Sequence, residues 1–140
     1  MIDVETPVRD WLRGRATLAR MARIELAAER NARPTYPRVT VRRIADPRDH
    51  DLDGELGTRQ IRMQFDVWSD KPELTGPIAK QLEKELSEMA GAVIDNRTLN
   101  AADVQNVFTA NVERPDAGRT DSIDRLILDV MLSMHGSLEV

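Results

Sequence analysis

The chain has 140 residues, 41% of them hydrophobic and 31% charged, with a net charge of −4 and no cysteine. Such a length predicts one domain, residues 1–140, large enough to bury a real core, and the composition excludes disorder of the whole chain. Disulfides and thiolate metal sites are excluded, which fits a reducing compartment, and no apolar run approaches the roughly 20 residues of a membrane span.

The first residues, MIDVETP, are acidic and lack the basic-then-apolar pattern of a secretory signal, so a soluble intracellular protein is expected. Charge is unevenly spread. Residues 1–48 hold eleven arginines and six acids (+5), and residues 49–140 carry −9. Arginine suits planar, bidentate contacts with carboxylate or phosphate. Arg9, Arg13, Arg15, Arg20 and Arg23 therefore suggest a small nucleic-acid-binding module as one reading. Solvated helix faces are the plainer one, and no RNP-like aromatic motif, recognition-helix pattern or zinc-finger spacing supports the sharper. A steep loss of DNA binding with salt would mark a nucleic-acid module.

In chain order, Thr6-Pro7 predicts a helix start, an N-cap hydroxyl followed by proline at the first helical position. Val8, Trp11 and Leu12 then share a face, and Gly14 is a natural stop. Arg15 to Ala22 reads as a second helical segment with Leu18, Met21 and Ala22 inward. Ile24 and Leu26 fit either a continuing helix or a short strand, and so few residues cannot decide. A strand over 38–44 follows Tyr36-Pro37, with Val39 and Val41 on one side and Thr40 and Arg42 on the other. A second, over 58–68, alternates more cleanly. Ile61, Met63, Phe65 and Val67 share one face, and Gln60, Arg62, Gln64 and Asp66 the other, as in a strand with one face buried. Between them Asp51-Leu52-Asp53-Gly54 and Gly57 supply turn chemistry.

After Trp68, residues 69–75 read as a turn, punctuated by Pro72, Gly76 and Pro77. The helix expected over 76–89 carries Ile78, Leu82, Leu86 and Met89 in one stripe, which should cover the Phe65 face of the preceding strand. Residues 90–103 read as a loop region with Asn96 and Asn100 as turn residues. A strand over 104–112 places Phe108, Ala110 and Val112 together, and residues 113–122 form a polar connection. The last strand, 124–134, puts Leu126, Leu128, Val130, Leu132 and Met134 on one face. Ile127 and Met131 on its other face call for cover by a helix or another subunit. The expected architecture is α+β, an antiparallel β-sheet with helices packed on one face.

The order Tyr36-Pro37, strand, Asp51-Leu52-Asp53-Gly54, a long strand ending Gln64-x-Asp66-Val67-Trp68, then a helix resembles the tail completion (tail terminator) proteins of long-tailed phages. The resemblance covers nearly the whole chain and implies a short strand at Ile24–Leu26. It implies a structural virion protein of the head-tail junction, found in host cytoplasm during assembly. Such a protein caps the head-proximal end of the tail tube as a hexameric ring, ends tube growth and offers a surface for head-tail joining. The partners implied are further copies of the chain, the major tail tube protein, a head-completion (stopper) protein, and DNA passing through the bore without sequence-specific contact. No membrane is involved. Two departures from the family pattern are the late helix start at Gly76-Pro77 and the extended linker over 92–103.

The search for chemistry yields no enzyme. Asp49-x-Asp51-x-Asp53-Gly54 matches the first half of an EF-hand calcium loop. Position 12 of that loop is Gln60 instead of a bidentate glutamate, and the flanks read as strands, so no metal is expected. His50 and His135 are far apart and lack helical partners. No Gly-rich phosphate loop, nucleophile elbow or paired acid–base site is present, and no cofactor is expected. Trp11 and Trp68 read as core packing, with an interface role as the alternative. The candidate subunit or partner interface comprises Arg42 and Arg43 on the first long strand, Asp49, Asp51 and Asp53 in the acidic loop, and Ile127 and Met131 on the last strand.

Overall fold

Ile61, Met63, Phe65 and Val67 are fully buried, so the alternation of the second long strand carries into space unchanged. A computed structural model of the chain describes residues 3–28, 35–44, 58–94, 97–109 and 123–135. Its elements are α1 (Glu5–Arg13), α2 (Ala16–Met21), β1 (Arg23–Leu26), β2 (Arg38–Arg43), β3 (Thr58–Ser69), α3 (Pro72–Ser87), β4 (Val93–Ile94), β5 (Arg97–Thr109) and β6 (Asp124–His135). The strands form one curled six-stranded sheet in the order β1-β2-β3-β6-β5-β4. Ile24 and Leu26 thus lie in a strand, β1.

The sheet is mixed, which corrects the purely antiparallel expectation. β1 runs parallel to β2, pairing Ile24 with Val39 and Leu26 with Val41, while the other pairs are antiparallel. The long connection from β1 to β2 permits this, since a parallel pair needs a crossover rather than a tight hairpin.

Residues paired across strands point to the same side, so register sorts the side chains into two faces. The inner face holds Ile24, Val39, Val41, Ile61, Met63, Phe65, Val67, Leu128, Val130, Leu132 and Met134, all buried. Onto it pack Val8 and Leu12 of α1, Leu18 of α2, and Ile78, Leu82 and Leu86 of α3, with Met89 just beyond. At roughly 1.5–3 kcal/mol for each large apolar side chain, this layer supplies the main driving force for folding.

Three boundaries differ from the sequence reading. α1 begins before Thr6-Pro7, where the Asp3 carboxylate accepts the Thr6 N–H at 3.2 Å, and Pro7 falls in a first turn that needs no N–H. α3 begins at Pro72 instead of near residue 76. Ser69 Oγ accepts the Lys71 N–H at 2.9 Å just before that start, and Pro72 takes the first helical position. Pro77 lies inside the helix, where Glu73, Gly76 and Pro77 are all exposed and solvent can take the carbonyl that proline leaves without a donor. β5 begins at Arg97, and β4 pairs with it through Val93–Thr98 and Ile94–Arg97, where a loop was expected. Register shifts between Leu99 and Ala101 and between Val104 and Asn106 break the period of two that would have revealed it. Of the face expected to hold Phe108, Ala110 and Val112, the last two lie outside the described residues, and Phe108 is exposed on the outer face.

The two sides of the sheet end differently. β1 covers β2 only as far as Val41, and α1 blunts what remains of that edge. The Arg13 guanidinium donates to the Ile24 carbonyl at 2.7 Å, and the Glu5 carboxylate accepts the Arg43 N–H at 2.8 Å. On the far side, β4 and the turn before it pair with β5 only through Leu99. Beyond that point no described residue pairs with the outer edge of β5.

Candidate functional site on the outer face of the sheet

The outer face is built from the polar half of each strand's alternation: Arg23 and Glu25 of β1, Arg38, Thr40 and Arg42 of β2, Arg62, Gln64, Asp66 and Trp68 of β3. β6 adds Arg125, Ile127, Asp129 and Met131, and β5 adds Asp103, Asn106 and Phe108. Trp68 therefore belongs to this face, not to the core, and is half-buried. Its indole N–H donates to Thr40 Oγ1 at 3.0 Å, and the Arg125 guanidinium lies 4.6 Å above its ring. Arg125 also donates twice to Asp66 Oδ2, at 2.5 and 3.1 Å, while Gln64 donates to Asp66 Oδ1 at 2.8 Å. Both oxygens of a carboxylate only 5% exposed are thereby satisfied.

Two further pairs complete the layer. Arg62 donates to Asp129 at 2.7 Å. Glu25, also buried, lies 3.2 Å from Arg38 Nε and 3.9 Å from Arg23. The Glu25–Arg38 contact is an ion pair without hydrogen-bond alignment, and it leaves Glu25 Oε1 and Arg38 Nε without a hydrogen-bond partner. Among the described residues of this face, two charged side chains stand outside any pair. They are Arg42 at the β2 edge and Asp103 on β5, both exposed.

The residues singled out from sequence fall in different places. Arg42 is on the outer face. Arg43 pairs with Met63 and so belongs to the inner side, half-buried at the edge that α1 blunts. Ile127 is already buried within the single chain, beside Asp66 and Phe108, and Met131 is half-buried between Arg62 and Asp103. Asp49, Asp51 and Asp53 lie outside the described residues, as does His50. Asp103 escaped the sequence reading because it falls between the two bulges of β5, and nothing in its neighbours marks it. The exposed large apolar side chains among the described residues lie on the β5 side of the sheet, Val107 and Phe108 together near the end of β5 at 41% and 45% exposed, and Val93 on β4 at 67%.

The N-terminal arginines are largely engaged within the chain. Arg9 contacts Asp10, Arg13 caps β1, and Arg23 faces Glu25. Arg15 lies 4.8 Å above the half-buried Trp11 ring and joins α2 to α3 by pairing with Glu85 at 2.6 Å and with Glu88. Burial pushes the Glu85 carboxyl up, but hydrogen bonds from Arg15 and Gln81, with the charges of Arg15 and Lys84, outweigh it and leave the carboxyl below its ordinary value of 4.5. A depressed folded-state value means stability that is fully present above the ordinary value of 4.5 and lost as pH falls through the folded value. Urea unfolding of the wild type should show this acid-side loss, and Glu85→Gln should flatten the profile below pH 5 and lower the stability above it, where the wild type keeps the Arg15 pair.

No group of three or more His, Cys, Asp or Glu among the described residues could hold a metal ion. No helix among them is long and apolar enough to cross a membrane. Helices gathered on one side of a curled mixed sheet, with a self-neutralising layer of ion pairs on the other, define an α+β protein that presents side-chain surface. The chain belongs to the family of tail completion protein gp17, whose model matches residues 6–130. It is therefore a phage tail protein with a structural role, a component of the virion. No curated protein matches it. A solved structure whose title states no function is 18% identical, covers 96% of this chain and 92% of that one, and superposes with a TM-score of 0.47.

Proposed function

We propose that this protein closes the head-proximal end of a phage tail tube as a ring of six, ends tube polymerisation and presents the surface to which the head-completion protein docks. Membership of the tail completion family over residues 6–130 carries this reading. A head-to-tail contact that closes under rotation gives a ring, and a ring seated on a tube replaces the surface that the next tube subunit would have used. DNA passes through the bore without sequence-specific contact. The outer face suits such a role. Its charges are mostly neutralised by one another, so it offers phosphates little net attraction.

The arginine-rich nucleic-acid-binding reading is the weaker one, because Arg13, Arg15 and Arg23 are engaged with groups of the same chain. Tails assembled with and without this protein, imaged side by side, test the proposal. Without it, tubes should be overlong or irregular and fail to join heads. Normal-length tails that still join heads in its absence would end the terminator reading.

A further inference from the structure

Arg42 and Asp103 are the two charged residues of the outer face that the described chain leaves without an ion-pair partner. Their positions are related. Arg42 lies in the cross-strand row Arg42, Gln64, Asp129, Asn106, and Asp103 lies in the adjacent same-face row with Met131 and Arg62. Adjacent rows on one face are two residues apart, about 7 Å along the strands. At this height β1 has ended and β4 has not begun, so the sheet is four strands wide, with β2 at one edge and β5 at the other. Opposite unpaired charges therefore stand on the two opposite edges, on the same face and nearly level.

The neighbouring inner-face row repeats the pattern with apolar groups. It runs Leu26, Val41, Phe65, Leu128, Val107. Its middle is fully buried, and its β5 end, Val107, is 41% exposed. Phe108, 45% exposed, stands beside it on the outer face. An edge with an acidic and apolar end on one side and an arginine on the other cannot satisfy itself by meeting its own like. It is complementary to the opposite edge of a second copy.

We infer that the joint between neighbouring subunits is the β5 edge of one copy, with Asp103, Val107 and Phe108, set against the β2 edge of the next, with Arg42. Asp103 pairs with Arg42 across the joint, and Val107 and Phe108 are covered beside it. The contact is heterologous, as a closed ring requires, and it rests on the ring reading above. It is made by side chains, since α1 already occupies the Arg43 N–H on the receiving β2 edge, and the Ile24 carbonyl on the neighbouring β1.

The chain has no cysteine, so every thiol on a variant subunit is an introduced one. Tails carrying the double variant Arg42→Cys/Asp103→Cys, treated with a short bis-maleimide linker, should give a ladder of multimers ending in one closed species. Each single cysteine variant should stay monomeric on the gel. Both sites are exposed, and circular dichroism of each variant checks that it folds. In parallel, Arg42→Glu and Asp103→Arg should each lower the yield of capped tails several-fold, and the two together should recover it. Tails that depend on the protein yet give no ladder would overturn the joint while leaving the ring reading intact. Dimers from a single cysteine variant would overturn it too, because the edges would then meet like with like. Tails that are normal without the protein would instead remove the ring reading itself.

Discussion

Phe65→Ala is expected to lower the unfolding free energy by roughly 3–5 kcal/mol, the range for truncating a fully buried phenylalanine. Phe65 is 0% exposed and sits at the middle of the inner face, paired with Val41 on one side and Leu128 on the other, in the layer that α3 covers. Truncation leaves a cavity between two layers that both span the sheet, so neither can close over it alone. A domain of this size has a total stability of about 5–15 kcal/mol, and the variant would be marginal. Urea denaturation measures the loss. As a control, Val93→Ala, at a 67% exposed position, should change stability by less than about 0.5 kcal/mol. A Phe65→Ala variant within 1 kcal/mol of wild type would mean that α3 does not rest on this face.

The second large effect is expected from Arg125→Ala, at roughly 3 kcal/mol, the lower end of the range for removing one partner of a buried ion pair. Asp66 is 5% exposed and takes two of its three side-chain hydrogen bonds, including the shortest, from Arg125. Without the guanidinium the carboxylate stays buried, held by Gln64 alone, and Trp68 loses its cover. The lower figure applies because the Arg125 side chain is itself 23% exposed and water can enter where it stood. Pairing it with Asp66→Asn separates the two causes. If the loss comes from an uncompensated charge, Arg125→Ala/Asp66→Asn recovers much of it. If it comes from lost packing on Trp68, the double variant is no more stable than the single.

Much of the inner layer was legible because it rests on short-range periodicity. The Ile61–Val67 alternation and the Ile78, Leu82, Leu86, Met89 stripe each name a buried face without long-range information, and each is buried as expected. Proline and glycine misled at the start of α3. Gly76-Pro77 looks like a boundary, yet the first turn forms five residues earlier, where Pro72 fits the first helical position. β5 was half missed because two bulges and an open polar face erase its alternation. The parallel placement of β1 had no local signal, since register between strands joined by a long connection depends on what packs around them. The outer face shows the same limit. Its residue types were visible in the sequence, and Trp68 could have been placed there by extending the Gln64, Asp66 alternation two residues. Which charges are spent on one another, and which two are left over, depends on cross-strand neighbours that are distant in sequence, 59 residues apart for Asp66 and Arg125 and 67 for Arg62 and Asp129.

The seal that α1 places on the β2 edge bears on how subunits can be exchanged. Main-chain pairing between proteins commits both partners to a continuous ladder that is slow to form and hard to reverse, and an open edge will accept many strands. Glu5 removes the Arg43 N–H of β2 that would have taken part, and Arg13 does the same for the Ile24 carbonyl on adjoining β1. A neighbour arriving there finds only side chains, so recognition depends on their identity and spacing. Such a contact can be tried, released and tried again with no segment unfolding, which allows a misplaced copy to leave before a closed assembly traps it.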